Sequence, residues 1–267
     1  MNTEKRMRGT GAGFWGWRAL FLVLTVNFLA TVGAILAGDF DEAGLPPRML
    51  PMEIFNNGIE ALLWLAVLVL SLMKRPRIAP ELCVFLAGFL WFDVLTTHPL
   101  VMPLPPGFLW WGSALAVIML VAGRTLVMRR MYAGDSERRD ALLPFPATAD
   151  DFRKTIWLFA VLAFLFAATV WSLLKGDYDQ TGLPLVVLPW HAVANGIEAL
   201  LWLGAATLIW KGSAREAGWV GLFAAGMFSW DALTTAFLPN MPIPWQAVWS
   251  PVVICVMLAA TNGLRKV

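Results

Sequence analysis

Four carboxylates, Glu60, Asp93, Glu198 and Asp231, each lie inside an apolar stretch of this chain. A charge at the centre of a bilayer costs several kcal/mol, so such a group usually marks function. Carboxylate, amide and hydroxyl oxygens together suit a hard cation or a proton. Each carboxylate has polar company at helical spacing. Asn57 stands one turn from Glu60, Thr97 one turn from Asp93, and Asn195 and Thr235 repeat the relation for Glu198 and Asp231. Interhelical hydrogen bonding accounts for the Asn and Thr side chains equally well. It accounts less well for the carboxylates, because Asn or Gln would serve without an ionisable group.

The clusters come in pairs because the chain repeats itself. The run Asn57-Gly58-Ile59-Glu60-Ala61-Leu62-Leu63-Trp64-Leu65 returns unchanged as Asn195 to Leu203, 138 residues on. The same offset aligns Gly38-Asp39-Phe40-Asp41 with Gly176-Asp177-Tyr178-Asp179, and Asp93 to Thr97 with Asp231 to Thr235. A tandem duplication therefore organises everything else. The copies also differ: Glu53 aligns with His191, Glu42 with Gln180, Asn56 with Ala194, and His98 with Ala236. If the halves meet about a pseudo-twofold axis, Glu53 and His191 lie at equal depth and can pair.

Two His residues are too few for a haem or a His-based metal cage, and no motif calls for a cofactor. Asp39-Phe40-Asp41-Glu42 and Asp177-Tyr178-Asp179 resemble half a calcium loop. They lack the twelve-residue frame with its terminal Glu and read as turns. Cys83 and Cys255 have no metal-type spacing and read as small packed thiols.

The elements that must position these side chains are membrane helices. Hydrophobic residues make up 59% of the chain and charged ones 14%, a balance solvated by lipid rather than water. At about 20 residues per span, the spacing predicts helices over 14–37, 52–73, 80–97, 108–128, 155–175, 190–210, 217–237 and 247–264. The expected architecture is an all-α membrane protein, with eight transmembrane helices as two parallel four-helix tandem repeats. Residues 1–13 form a cytoplasmic N-terminus, 14–128 the first repeat, 129–154 a cytoplasmic linker and 155–267 the second repeat.

Of the 20 Lys and Arg, 17 fall in segments that eight spans place on one side; Arg48 and Lys175 lie opposite, and Arg18 lies within the first span. The positive-inside rule then puts both termini in the cytoplasm of a bacterial-type inner membrane. The net charge of +2 reflects this loop bias and gives no reason to expect nucleic acid. Asp150 and Asp151 suit the positive end of the fifth helix. Proline-rich turns at Leu45-Pro46-Pro47 and Met102 to Pro106 face outward, and Trp110, Trp111, Trp190, Trp245 and Trp249 fit an outer aromatic belt. In this register Glu60 lies about 12 Å, and Asp93 about 6 Å, below the outer ends of their helices. Both acid clusters then open outward.

Gly44-Leu45-Pro46, then Pro51, then Asn56-Asn57-Gly58-Ile59-Glu60, resembles the second helix of the integral-membrane terpene cyclases. Leu90-Trp91-Phe92-Asp93 is similar to the aromatic-then-Asp pattern on their following helix. The resemblance covers the second and third helices of each repeat. It implies acid-initiated cyclisation of an isoprenoid, with Glu60 and Asp231, or Glu198 and Asp93, as the acid pair. Trp64, Trp91, Phe92, Trp202 and Trp230 would then stabilise a carbocation through their ring faces.

Three functions remain open on the sequence. One is a pocket that binds or acts on a lipid or isoprenoid-like molecule, with His191, the asparagines, threonines and tryptophans as ligand-binding residues. Another is a proton- or cation-coupled transporter. The third is an accessory subunit of a larger membrane complex, with Trp-rich faces toward lipid or partner subunits.

Overall fold

The computed structural model describes residues 10–38, 50–72, 79–96, 113–124, 149–177, 185, 188–236 and 243–264. Thr97, His98, Asp39 to Arg48, Met102 to Pro106, Trp110, Trp111 and the 129–148 part of the linker lie outside them, as do the side chains of Thr234, Thr235, Trp245 and Trp249. The described chain is all helical: α1 (Thr10–Ala37), α2 (Leu50–Leu72), α3 (Ala79–Thr96), α4 (Ser113–Arg124), α5 (Ala149–Lys175), α6 (Leu188–Trp210), α7 (Ala214–Ala236) and α8 (Ile243–Leu264). No strand occurs among the described residues.

Local chemistry sets several helix ends. Pro51, Pro80 and Pro189 each occupy the second position of a helix, where proline's missing N–H is no loss. Gly212, at φ 82°, closes α6: its N–H donates to the Ile209 carbonyl at 2.9 Å, and Ser213 N–H donates to Leu208 at 2.8 Å. The Ser213 carbonyl then accepts the Ala217 N–H as α7 begins, making α6 and α7 a tight hairpin.

Among the described residues five helices, α1, α2, α3, α5 and α6, are long and apolar enough to cross a membrane. Two further apolar helical segments, Ser113–Arg124 and Ser250–Thr261, are shorter. The sequence predicts a span at α7 as well, but Arg215, Glu216 and Asp231 dilute its apolar character. Its position compensates. Large apolar side chains project outward from α1, α2, α4, α5, α6 and α8, whereas among the described residues none does so from α3 or α7.

The centre of the molecule is accordingly the α3–α7 pair, flanked by α1 and α2 on one side and α5, α6 and α8 on the other. At their crossing the backbones almost touch. A Cβ on Gly88 would collide with the Phe223 carbonyl, and a Cβ on Gly226 would collide with the Phe85 carbonyl. The two contacts are built from residues at matching repeat positions. Only glycine permits this approach.

Candidate site: two carboxyl clusters beside the central helix pair

Glu53, Asn56, Asn57, Glu60 and Trp64 follow the i, i+3, i+4, i+7, i+11 pattern of one helical face along α2, and all five are buried. His191, Ala194, Asn195, Glu198 and Trp202 form the matching buried face of α6. Asn57 donates from Nδ2 to the Glu53 carbonyl at 2.8 Å and reaches the Glu53 Oε2 at 3.3 Å. Asn195 makes the equivalent bond to the His191 carbonyl at 2.9 Å. Both amides therefore hold their own helix, and each leaves its carboxyl neighbour one turn deeper without help.

Those neighbours are unusual, and so is Asn56, which is also fully buried with neither amide atom partnered among the described residues. Glu60 and Glu198 are 0% exposed, and among the described residues neither carboxyl oxygen of either one has a hydrogen-bond partner. The Trp64 indole N–H lies close to the Glu60 carboxyl without completing a hydrogen bond. Asp93 on α3 lies within electrostatic reach of both Glu53 and Glu60, and Asp231 on α7 within reach of Glu198. Each Glu thus has the Asp of its own half within electrostatic reach. His191 Nδ1 meets Asp231 Oδ1 at 3.5 Å, so the expected partner of His191, Glu53, gives way to Asp231. The His191 ring also stands edge-on to Phe92 of the other half, with centroids 5.7 Å apart.

The second half consequently presents a graded stack. His191 lies near the start of α6, Asp231 reaches in from α7, and Glu198 sits seven residues further along α6. In the first half Glu53, Asp93 and Glu60 occupy the same places, with a third carboxyl where the second half has imidazole. Glu53 belongs to the cluster although its spacing alone did not single it out. Its alignment with His191 was the available signal.

The aromatic candidates separate into two groups. Trp64 stacks on Phe21 of α1 with centroids 5.8 Å apart, and Trp202 packs on Phe159 of α5 at 4.9 Å. Both tryptophans are fully buried floors beneath their Glu. Trp230, beside Asp231, packs edge-on to Phe89 at 4.9 Å and ties the two halves together. Trp91 is turned toward α4 and α7: its Nε1 donates to Ser113 Oγ at 3.3 Å and its ring lies 5.7 Å from Phe223. Thr96 is buried, and its hydroxyl donates to the Phe92 carbonyl at 2.8 Å. Thr97 lies outside the described residues, as does the side chain of Thr235.

No group of three or more His, Cys, Asp and Glu side chains suited to a metal ion occurs among the described residues. The chemistry available is that of acids in apolar surroundings: giving, holding or passing a proton. No protein-family model matches the chain, and no curated protein or solved structure matches it either.

Proposed function

We propose that this chain is an eight-span membrane protein of two parallel four-helix repeats with cytoplasmic termini. Its carboxyl clusters would lie near the outer face and serve an apolar, lipid- or isoprenoid-like molecule. The observation that carries this reading is the pair Glu60 and Glu198, wholly buried with no partner for either oxygen among the described residues. Burying a polar group unpartnered costs about 1–3 kcal/mol, so a fold has no structural use for two of them. A ligand group, or a proton in transit, would supply what is missing.

In the catalytic form, the Glu carboxyl gives its proton to an alkene or epoxide of the ligand. The cyclised cation then loses a proton to the neighbouring Asp, which passes it back to the Glu carboxylate. Trp64 and Trp202 would face the developing cation. This is also the chemistry implied by the resemblance to the membrane terpene cyclases. The test is Glu60→Gln, Glu198→Gln and the double variant in cells, with the lipid extract read by mass spectrometry. Loss of one lipid species, or accumulation of its precursor, is expected; an unchanged profile in all three removes the proposal.

A second reading is favoured by the His191–Asp231–Glu198 stack, in which His191 and Asp231 stand 3.5 Å apart and Asp231 lies within electrostatic reach of Glu198. Here the chain couples proton or cation movement to transport. Purified protein in proteoliposomes should then carry a proton current that Glu198→Gln abolishes. Flux indistinguishable from empty vesicles would defeat it.

A further inference from the structure

A second feature lies toward the start of α7, away from Asp231. A cavity of ≈ 470 Å³ opens where α4 ends and α7 begins. Val84 of α3, Leu120 of α4, Leu201 of α6, and Val220 and Phe223 of α7 line it. It therefore lies between the halves, on the side where most Lys and Arg of the chain fall. Its volume would hold roughly fifteen waters at their liquid density, yet an ordered water needs two to four polar partners. The walls are hydrocarbon, so the cavity suits hydrocarbon.

One cation breaks the pattern. Arg124, the last residue of α4, is part of the lining. Trp219 forms another part of the wall, and Arg215 lies one turn before it on the same face of α7. An apolar slot with the Arg124 guanidinium in its lining, and a second arginine one turn from its Trp219 wall, matches a chain-bearing anion, since arginine recognises phosphate through a planar fork of donors.

We propose that this cavity is a binding site for an anionic phospholipid of the cytoplasmic leaflet, one acyl chain filling the slot and the phosphate held by Arg124 and Arg215. The proposal rests on the membrane orientation given above and is independent of the carboxyl chemistry. The lipid is seated against Leu201, one turn from Glu198, and so braces α6 and α7 where the second carboxyl cluster is built.

The test uses the full chain in phosphatidylcholine nanodiscs doped with phosphatidylglycerol carrying a diazirine in its acyl chain. Cross-linked peptides are mapped by mass spectrometry, and a diazirine phosphatidylcholine serves as the headgroup control. The α4 and α7 peptides should be labelled by the anionic probe at least about fivefold more than by the control, the discrimination expected from one basic residue at a membrane surface. Arg124→Gln with Arg215→Gln should erase the preference. Val220→Trp, which fills the slot, should reduce labelling by both probes severalfold with an unchanged circular dichroism spectrum. Leu120→Trp fills it from the other wall if the first variant fails to fold.

The Glu60→Gln/Glu198→Gln variant should label like the wild type, which separates this site from the acid chemistry. Equal labelling by the two probes, or labelling that survives both Trp variants, overturns the proposal. So does displacement of the probe by millimolar inorganic phosphate, which would make the site one for a free anion.

Discussion

At the scale of single residues, the sequence shows which groups matter but not whom they meet. Glu60 and Glu198 stand out because a carboxyl in an apolar run has no cheap explanation, and both are wholly buried. Their partners were less legible. A duplicated chain offers two equally symmetric ways to pair each Glu with an Asp, within a half or across the axis, and periodicity cannot choose between them. The same ambiguity hid the contact of His191 with Asp231. Stability separates a functional carboxyl from structural glue. Replacing Glu60 or Glu198 by Met removes an unpartnered buried polar group while keeping length and volume, so each change should stabilise the protein by about 1–3 kcal/mol. Any activity should be lost at the same time. Thermal unfolding in detergent reads the effect; a clear loss of stability would show that these carboxyls are structural ties.

At the scale of elements, apolar runs made the helices visible, and the structure adds that Pro51, Pro80 and Pro189 fall where α2, α3 and α6 start. What the runs could not show is which helices face lipid. Near-uniform apolarity gives no amphipathic stripe to read, so α3 and α7 look like any other span until their outward faces are found to lack large side chains. Their glycines were the overlooked signal. Gly88→Ala or Gly226→Ala must push the paired backbones apart, and each should cost about 1–3 kcal/mol, as overpacking does. Gly58→Ala is the control, because nothing lies within 4 Å of its new methyl, and it should be neutral or gain up to about 1 kcal/mol. Gly212→Ala tests the α6–α7 hairpin separately. It forces a side chain onto a residue at φ 82° and should cost about 1–2 kcal/mol. Equal melting temperatures for the Gly88, Gly226 and Gly58 variants would mean that the α3–α7 crossing is looser than its backbone contact implies.

At the scale of the whole molecule, the decisive quantity is how many helices cross the membrane. Counting all eight places the ends of α1 and α5 on the same face, because each half then returns the chain to its starting side. Counting only the five long apolar helices places those ends on opposite faces, since three crossings rather than four then separate α1 from α5. The matching repeat positions Ala37 and Lys175, and likewise Leu72 and Trp210, are exposed helix-terminal residues and make suitable reporters. With Cys83 and Cys255 replaced by Ala, Ala37→Cys and Lys175→Cys should both react with a membrane-impermeant maleimide added outside intact cells. Leu72→Cys and Trp210→Cys should react only after permeabilisation. A split result, with Ala37 labelled from one side and Lys175 from the other, would break the parallel duplication. The two carboxyl clusters would then face opposite compartments, and no single external pool could supply both with a ligand or a proton.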